Sequence, residues 1–415
     1  MSRQNNTRRR LVILGGGFAG VSLIKRIDLD HYDVTILSPR NHFLFTPLLP
    51  STTVGTIEFR SIIEPLRKSR RGVQFLQGKA IALDQGARRI TCENPESHAE
   101  FTVEYDYLVI AVGAWNNTFG ISGVAEHALF LKELTDARNI RERVISCLER
   151  ASIPGIRQEE RDRLLHFVVV GGGPTGVEFA AELHDLLDED LQKSYPHFVG
   201  KIRITLFEAM KSILSSFDEE LRNYTVEHFK RQEIDVRLET PVREVCIDRL
   251  VLKSGEEVPT GLVVWSTGYG PTGFVASLPF AKQKGRLLTD EYLRIAEHPE
   301  IYAMGDCATA AAGAFPQTAQ LAMQTGKYLA KALNRIAGGK EPAPFRFKNL
   351  GMLAYVGEGR ALAEIPTVNV QTSGVGAYIF WRSAYLTRLV SFKNKVLVVF
   401  DWLKTWIFGR DLSKF

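Results

Sequence analysis

The sequence has few cysteines, and none of them forms a closely spaced pair. Its 415 residues include four, Cys92, Cys147, Cys246 and Cys307, with no C-x-x-C or C-x4-C pattern. This distribution argues against a disulfide framework and against a local dithiol redox motif. It fits a protein of a reducing compartment.

Metal motifs and long apolar runs are also missing. The nine histidines form no H-E-x-x-H pattern and no EF-hand loop occurs, so we expect no metal. The N-terminus MSRQNNTRRR is basic, but the apolar run that follows, LVIL, has only a strand's length, which argues against secretion. No stretch of about 18 uncharged apolar residues exists, so we expect no transmembrane helix.

The net charge of +5 is concentrated at the C-terminal end of the chain. From Gly374 to Phe415 there are seven basic and two acidic residues, so this segment carries the whole net charge. Such an asymmetry suggests a surface partner. No basic stripe runs through the rest of the sequence, so we do not expect a nucleic acid as the partner. The chain length suggests two to three domains.

Two glycine-rich loops of the same layout stand out. Gly15 to Gly20 follows the apolar run LVIL, and Gly171 to Gly176 follows FVVV. Each reads G-x-G-x-x-G between a predicted strand and a predicted helix, with another strand beyond. Such glycines allow a tight turn, a close approach of the backbone to a pyrophosphate, and packing of helix on strand, while the helix N-terminus attracts the phosphates. We therefore predict an α/β fold with two Rossmann-like domains that bind two dinucleotides. The first helix is expected over about Phe18 to Ile27.

The residues that follow each loop indicate which dinucleotide it binds. In the second unit Glu208 follows the strand IRITLF and can accept hydrogen bonds from ribose hydroxyls. A carboxylate here would repel a 2′-phosphate, so we expect NADH to be preferred over NADPH; a surface glutamate after a strand is the alternative. The first unit has Ser38 at the corresponding place, so we assign it to FAD.

Three more segments suggest how the domains are arranged. YDYLVIAVGA and GLVVWSTGYG each read as a strand that runs into a turn of small residues. IYAMGDCA places Gly305 and Asp306 after a strand, and its position indicates that the chain returns to complete the first domain. We therefore expect a discontinuous FAD-binding domain over 8–160 and 275–345, an inserted NAD-binding domain over 161–274, and a C-terminal membrane-association region over 346–415.

Several segments in order resemble the type II NADH dehydrogenases of the two-dinucleotide flavoprotein superfamily. They are SPRNHFLFTPLLPSTTVGTIEFRSIIEP, VVVGGGPTGVEFAAEL, PQTAQLAMQ, NLGMLAYVGEGRALA and the C-terminal FWRSAYLTRLVSFKNKVLVVFDWLKTWIFGRD. The resemblance covers essentially the whole chain. It implies a single-subunit, non-proton-pumping NADH:quinone oxidoreductase with non-covalent FAD. NADH would give a hydride to the flavin, which would pass two electrons to ubiquinone or menaquinone.

The resemblance also implies roles for individual residues. The residues expected at FAD are Gly15, Gly17, Phe18, Ala19, Gly20, Ser38, Pro39, Arg40, Thr46, Pro47, Gly113, Asp306, Gln317, Thr318 and Ala319. The residues expected at NAD are Gly171, Gly173, Pro174, Thr175, Gly176, Glu178, Glu208, Thr267 and Gly268. Glu178 would lie where nicotinamide meets flavin; the alternative is a first-turn glutamate favoured by the helix dipole.

The segment PQTAQLAMQTGKYLAKAL, Pro316 to Leu333, is predicted to be a helix with Pro316 in its first turn. Gln317, Gln320 and Gln324 would then share one face. Ala319, Gln320 and Gln324 match the A-Q-x-x-x-Q quinone motif of the resembled family, so we expect Gln320 and Gln324 to flank the quinone. Solvated amides are the alternative.

Gly374 to Gly409 is predicted to form two helices. In the second, an apolar face recurs at helical spacing and comprises Phe392, Val396, Val399, Phe400, Leu403, Trp406 and Ile407, with Lys393 and Lys404 opposite. This composition is typical of a helix that lies in a membrane interface. Packing on the protein or in a homodimer is the alternative, and both can hold together. We expect a peripheral protein on the cytoplasmic face of a cell membrane or, alternatively, at the mitochondrial inner membrane.

Two other enzyme classes of the superfamily stay open. A sulfide:quinone oxidoreductase would need cysteines that process sulfur, and Cys147 and Cys307 are the candidates. The other class is a soluble NADH-dependent flavin reductase, but membership of that class would not explain the aromatic, basic C-terminus. Disulfide reductases need a dithiol beside the flavin, and the first domain has none.

Overall fold

The computed structural model describes residues 8–311, 313–366 and 370–413. The chain divides into two compact units. The first unit comprises Met1–Phe43, Glu64–Trp115 and Tyr269–Asn349, and the second comprises Leu44–Ile63, Asn116–Gly268 and Leu350–Phe415. Residues 44–63 and 116–160, which we expected in the FAD-binding domain, thus belong to the second unit, as does the C-terminal region from Leu350. The domain boundaries given above stay a prediction.

The helices and strands are numbered along the chain. The α-helices are α1 (Phe18–Ile24), α2 (Leu49–Thr53), α3 (Val124–His127), α4 (Leu134–Ala151), α5 (Gln158–Leu164), α6 (Pro174–Glu189), α7 (Leu191–Ser194), α8 (Glu219–Arg231), α9 (Gly273–Ser277), α10 (Ala319–Ala337), α11 (Val375–Arg388) and α12 (Phe392–Phe408). The strands are β1 (Arg9–Leu14), β2 (Tyr32–Ser38), β3 (His42–Leu44), β4 (Ile63–Pro65), β5 (Gln74–Gln77), β6 (Lys79–Asp84), β7 (Arg89–Glu93), β8 (Glu100–Glu104), β9 (Tyr107–Ile110), β10 (Trp115–Asn116), β11 (Leu129–Phe130), β12 (His166–Val170), β13 (Arg203–Phe207), β14 (Ile234–Arg237), β15 (Val242–Val245), β16 (Arg249–Leu252), β17 (Glu257–Pro259), β18 (Leu262–Trp265), β19 (Tyr269–Gly270), β20 (Lys282–Gln283), β21 (Arg286–Thr289), β22 (Arg294–Ile295), β23 (His298–Ala303), β24 (Ala308–Ala310), β25 (Met352–Gly357), β26 (Arg360–Ile365) and β27 (Val370–Gly374).

The first unit is built on a sheet in the order β22-β23-β9-β1-β2-β5. Its central strand β1 pairs in parallel with β2 and β9, and Leu11 to Leu14 are buried. A strand covered on both faces is apolar throughout, which explains the run LVIL. Strand β23 pairs with β9, with Ile301 opposite Leu108. The chain therefore returns to the first sheet after the second glycine loop, as the sequence predicts.

The second unit contains a parallel sheet in the order β11-β18-β12-β13-β14. Every residue of β12, His166–Val170, is buried between β13 and β18. Helix α6 leaves the end of β12 and packs on α2 and on β25 of the antiparallel sheet β25-β26-β27. The two glycine loops thus lie at the carboxyl ends of central parallel strands, and the predicted α/β fold class with two Rossmann-like sheets is confirmed.

Two predicted helices differ from the structure in their bounds. Helix α1 ends at Ile24, three residues before the predicted end. The prediction for the quinone helix is wrong at its start, since Pro316 and Gln317 precede α10, which begins at Ala319. Thr318 has extended backbone angles, and its side chain accepts a hydrogen bond from the N–H of Leu321. A threonine cap fixes the first turn more strongly than a proline two residues earlier.

The two predicted C-terminal helices are present as α11 and α12. Lys414 and Phe415, which belong to the predicted membrane-association region, lie outside the described residues. Within the part of the chain that the structure describes, no helix combines the length and the apolarity that crossing a membrane requires.

Candidate functional site

The first glycine loop joins β1 to α1 in the first unit. The N–H of Gly15 donates to the carbonyl of Leu37 over 2.7 Å. A Cβ atom on Gly20 would lie 2.1 Å from the carbonyl oxygen of Gly15, so only glycine lets α1 begin this close to the turn. A Cβ on Gly17 would meet no atom within 4 Å. The middle glycine therefore borders open space at the N-terminus of a helix, where a pyrophosphate fits.

Other residues predicted at FAD lie around this loop in the first unit. Ser38 ends β2, and its buried hydroxyl accepts a hydrogen bond from the N–H of Arg40 over 3.3 Å. The ring of Phe18 meets that of Phe43 edge-on at 5.0 Å. Gly113 follows β9, and a Cβ there would also meet open space. Pro39 lies between Ser38 and Arg40 at the end of β2. The end of β2, the Phe18–Phe43 ring pair and Gly113 thus all belong to the same unit as the first glycine loop.

The turn at Asp306 lies close to both α1 and α10. It forms a short 3-10 helix, Gly305–Cys307, directly after β23. The side chains of Ala19 and Ala322 are 3.4 and 3.6 Å from the position of a Cβ on Gly305. The side-chain amide of Gln317 donates to the carbonyl oxygen of Asp306 over 3.1 Å. The structure therefore brings together the glycine loop, the Asp306 turn and the start of α10 within one unit.

The two glutamines of the A-Q-x-x-x-Q motif both contact the segment after α10. Gln320 is buried and donates to the side-chain oxygen of Asn349 over 3.3 Å. Gln324 donates to the carbonyl of Lys348 over 2.8 Å and accepts from its N–H over 3.0 Å. Gln324 thus pairs with a backbone peptide as a neighbouring β-strand would. This pairing holds residues 348–349 against the start of α10.

The second glycine loop repeats the geometry of the first. A Cβ on Gly176 would lie 2.0 Å from the carbonyl oxygen of Gly171, and one on Gly173 would meet open space. Pro174 occupies the first turn of α6, where a missing N–H costs nothing. Thr175 follows it in the same turn, and Thr267 and Gly268 follow β18, beside Gly171.

Glu208 lies against this loop. Its Oε2 accepts from the N–H of Gly172 over 2.7 Å, and its Oε1 accepts from the N–H of Met210 over 2.8 Å. The carboxylate is therefore held at the glycine loop itself, which is where the ribose of a bound dinucleotide would need an acceptor. The assignment of Glu208 to the ribose stays a prediction, and a surface glutamate after a strand stays the alternative.

Glu178 does not lie in the first turn of α6, so the helix-dipole alternative is wrong. The side chain is 6% exposed. Its Oε1 accepts from the N–H of Tyr355 over 3.0 Å and from the indole of Trp381 over 3.3 Å. Burial raises the pKa of Glu178 to about 8, although these two donors oppose the rise. A carboxyl that keeps its proton near neutral pH can serve as a general acid.

Two further acids on α6 were not selected from the sequence. Glu182 accepts hydrogen bonds from the hydroxyls of Ser51 and Thr56, and Asp185 accepts from the hydroxyl of Tyr355. Both are buried. Their spacing from Glu178, four and seven residues, was the available signal, since it puts all three on one side of the helix. Thr46 and Pro47 also belong to this unit, in the 3-10 helix Thr46–Leu48, and are half-buried.

The apolar face of α12 points away from the unit that carries it. Phe392 and Trp406 are 81% and 83% exposed, and all seven predicted members of the face are exposed. The opposite side is buried and comprises Asn394, Val398 and Asp401. Asn394 donates to the carbonyls of Ser61 and Ile63, and Asp401 accepts from the N–H of Glu58. A helix on the surface of a soluble protein turns its apolar face toward the core. Helix α12 instead exposes most of its apolar side chains.

Comparison with known proteins places this geometry in a family. Residues 9–326 match the family described as pyridine nucleotide-disulphide oxidoreductase, and residues 349–411 match the NDH2 C-terminal domain. A "Probable NADH dehydrogenase" of Dictyostelium discoideum is 44% identical over 98% of this chain and 91% of its own. The "External NADH-ubiquinone oxidoreductase 2, mitochondrial" of Saccharomyces cerevisiae is 39% identical over 98% of this chain and 82% of its own.

The chain belongs to the type II NADH dehydrogenase family. A solved structure of NDH2 from Plasmodium falciparum in complex with NADH agrees with this, since it is 28% identical, has a TM-score of 0.92 and matches 98% of this chain and 100% of its own. The resemblance stated from the sequence motifs is therefore confirmed. The sulfide:quinone oxidoreductase of Aquifex aeolicus, at 20% identity and a TM-score of 0.72, shares the fold.

The cysteines do not favour sulfur chemistry in this type II NADH dehydrogenase. Cys307 is buried, its thiol donates to the carbonyls of Ile110 and Met304, and burial raises its pKa to about 11. Burial likewise raises the pKa of Cys147. Only the thiolate is a good nucleophile, so neither candidate cysteine is prepared to act as the nucleophile of sulfur transfer.

Proposed function

We propose that this protein is a peripheral-membrane flavoenzyme that oxidises NADH and passes two electrons through FAD to a membrane quinone without pumping protons. As a type II NADH dehydrogenase it is an NADH:quinone oxidoreductase that uses FAD and NADH. The observation that carries the proposal is the pair of glycine loops, each beside open space at a helix N-terminus. When bound, FAD supplies the centre that takes up a hydride and gives up electrons singly or in pairs.

The residues of the first unit would hold FAD. Gly15, Gly17 and Gly20 suit the pyrophosphate, and the Asp306 turn suits the ribitol hydroxyls. The start of α10 would lie near the flavin, because Gln317 is hydrogen bonded to Asp306. Its positive end would stabilise a negatively charged reduced ring. Ser38, Pro39, Arg40, Gly113, Thr318 and Ala319 complete the proposed FAD set of this unit. Thr46 and Pro47, which we also predicted at FAD, belong to the second unit.

The second glycine loop and Glu208 would hold NADH. The ribose hydroxyls of the adenosine would donate to the Glu208 carboxylate, whose charge would repel the 2′-phosphate of NADPH. Thr175, Thr267 and Gly268 border the same loop. Oxidation of one NADH delivers two electrons and one proton, while a quinone takes up two of each, so each turnover needs one further proton. The buried Glu178 is the proposed donor of that proton, and Gln320 and Gln324 are the proposed partners of the quinone headgroup.

The outward apolar face of α12 supports membrane attachment. Aromatic and aliphatic side chains on one face, with lysines beside them, suit the interface between lipid headgroups and acyl chains. The basic residues of the C-terminal segment other than the buried Arg410 would add attraction to anionic lipid. The same helices are the proposed homodimer surface. The membrane is either a bacterial cell membrane, at its cytoplasmic face, or the mitochondrial inner membrane.

Reconstitution tests this function as a whole. Purified protein added to lipid vesicles that contain ubiquinone or menaquinone is expected to bind the vesicles and to oxidise NADH. Vesicles without quinone should support binding but no anaerobic oxidation. Oxidation of NADH that needs oxygen and not quinone would instead indicate a soluble flavin reductase.

A further inference from the structure

Helix α6 carries three buried carboxyl groups on one side. Glu178, Glu182 and Asp185 are 6%, 4% and 3% exposed. Buried carboxyls this close together cannot all be ionised without strong repulsion unless a positive charge is near. The nearby positive charge is that of Arg410, which is far from α6 in sequence and lies near the C-terminus.

Arg410 is held firmly beside the end of α6. Its side chain is 6% exposed and pairs with Asp190 at 2.9 Å and with Glu189 at 2.6 Å. The backbone N–H of Arg410 also donates to Asp190 over 3.1 Å. Burial alone would lower the pKa of Arg410, but the surrounding carboxylates outweigh this and raise it. The residue is therefore a fixed cation.

One hydroxyl joins Arg410 to the middle carboxyl. Nε of Arg410 donates to the hydroxyl oxygen of Thr56 over 3.0 Å, and that hydroxyl donates to Oε2 of Glu182 over 3.0 Å. A guanidinium has no acceptor, so the direction of the first hydrogen bond is fixed. The Thr56 oxygen therefore accepts from Arg410, and its O–H donates to Oε2 of Glu182, which is the acceptor.

Two opposing effects act on the proton affinity of Glu182. The pKa of Glu182 is raised on balance, because burial is the largest effect and the charge of Asp185 adds to it. The charge of Arg410 is the largest effect in the opposite direction, and the hydroxyls of Ser51 and Thr56 lower the pKa further. An acceptor role together with a nearby cation favours the ionised form of a carboxyl. Loss of Arg410 would remove the largest effect that opposes burial, so the charge state of Glu182 depends on this arginine.

The groups that donate hydrogen bonds to Glu178 and Glu182 are neutral, and the titratable His184 lies 3.7 Å from the third carboxyl, Asp185. Ser51 and Thr56 face Glu182 from the segment around α2, and Tyr355 faces both Glu178 and Asp185 from β25. Helix α11 contributes Trp381, Tyr378 and Tyr385. Burial raises the pKa of each of these three tyrosines, so their phenols stay protonated. Arg410 therefore supplies the positive charge, and Glu182 supplies the negative charge nearest to Glu178 along the helix.

We propose that Arg410 is a positioning residue of the reaction, which through Thr56 keeps Glu182 ionised and thereby keeps the proton on Glu178. The charge on Glu182 opposes ionisation of its neighbour one helical turn away. The proposal rests on the proposed place of Glu178 in the reaction. It also links proton supply to the docking of α12, because Arg410 lies two residues beyond the end of that helix.

The test follows the protonation of Glu178 in the complete holoenzyme. Infrared difference spectra between pH 6 and pH 9 report buried carboxylic acids, since ordinary carboxyls are ionised throughout that range. The band that Glu178→Gln removes belongs to Glu178. Arg410→Gln and Thr56→Val should shift its midpoint to lower pH by about one unit, a tenfold change in proton affinity. Thr56→Ser, which keeps the hydroxyl, and Lys193→Gln, which removes an exposed cation on α7, should leave the midpoint in place.

The outcomes separate this inference from the proposed function. Unchanged midpoints in both Arg410→Gln and Thr56→Val would overturn the inference, as would a shift of equal size in Lys193→Gln. Thr56→Val removes no ionisable side chain, so this variant tests the inference by itself if Arg410→Gln does not fold. If the midpoint shifts as expected but the pH dependence of flavin reoxidation by quinone does not follow it, the link from Arg410 to Glu178 stands and the role of Glu178 in the reaction fails.

Discussion

The carboxylate of Glu208 accepts a hydrogen bond from the N–H of Gly172 over 2.7 Å. The acid expected at the ribose is therefore fixed to the loop expected at the pyrophosphate. Both contacts to the backbone, at Gly172 and Met210, use the carboxylate as an acceptor, so peptide N–H groups orient its negative charge toward the loop.

Replacing this charge should relax nucleotide choice. Glu208→Gln is expected to raise kcat/KM for NADPH relative to NADH by about tenfold, the equivalent of about 1.4 kcal/mol of relieved repulsion. Glu239→Gln, at an exposed position nearby, is the charge-matched control and should change neither value. Equal use of both nucleotides by the unmodified enzyme would contradict the assignment.

Membrane attachment can be tested on side chains that point away from the unit. Phe392, Phe400 and Trp406 are exposed, so their joint replacement by serine should preserve the fold. Transfer of each of these side chains from water into lipid is favourable by about 1.5–3 kcal/mol. Sedimentation with anionic vesicles should therefore fall by well over tenfold.

Ile247→Ser is the matched control, because Ile247 is an exposed apolar residue outside the C-terminal helices. Deletion of residues 374–415 should also release the protein, but it removes Trp381 and Asn394, which are buried in the second unit. A triple variant that still sediments with vesicles would show that α12 is not the anchor.

The quinone assignment predicts a defect in one half-reaction only. Gln324→Ala removes two hydrogen bonds to Lys348 and should slow reoxidation of the reduced flavin by quinone about tenfold or more. Gln320→Ala should act in the same way. NADH should bleach the flavin of both variants at the parent rate in stopped-flow experiments.

The exposed Gln283 in the first unit provides a glutamine-to-alanine control. If the NADH step slows in Gln324→Ala and the quinone step does not, then the motif belongs to the nicotinamide side. If neither step is slowed, the quinone assignment is wrong and Gln324 only holds residues 348–349 by its hydrogen bonds to Lys348.

The raised pKa of Glu178 predicts a stability that depends on pH. The folded protein binds the proton up to about pH 8, whereas an unfolded chain releases it near pH 4.5. Between these values the native state holds more protons, so stability falls as pH rises, by up to about 1.4 kcal/mol per pH unit for one group. Glu178→Gln should flatten the pH dependence of the unfolding free energy, and Glu227→Gln, at an exposed position on α8, should not. Parallel curves for all three proteins would refute the buried proton.

The elements that follow from local pattern could be predicted from the sequence. Both glycine loops and the apolar face of α12 depend on spacing within one segment, and the return of β23 to the first sheet followed from the position of its segment after the second loop. The predicted start of α10 was wrong because the prediction relied on Pro316, whereas in the structure Thr318 caps the helix and Ala319 begins it. The environment of Glu178 could not be predicted, because Tyr355 and Trp381 are distant in sequence and hydrogen bonds between distant residues leave no local pattern. Arg410 was interpreted only as part of a basic segment, although its burial among acids gives it a different role.

The central claim is that one bound flavin carries electrons from NADH to a quinone. The most direct measurement is anaerobic stopped-flow absorbance of the purified yellow protein, mixed first with NADH and then with quinone. The flavin absorbance should disappear with NADH and return with quinone, each at a rate no slower than steady-state turnover. Protein that carries no flavin, or flavin that NADH bleaches and quinone fails to restore, would contradict the account.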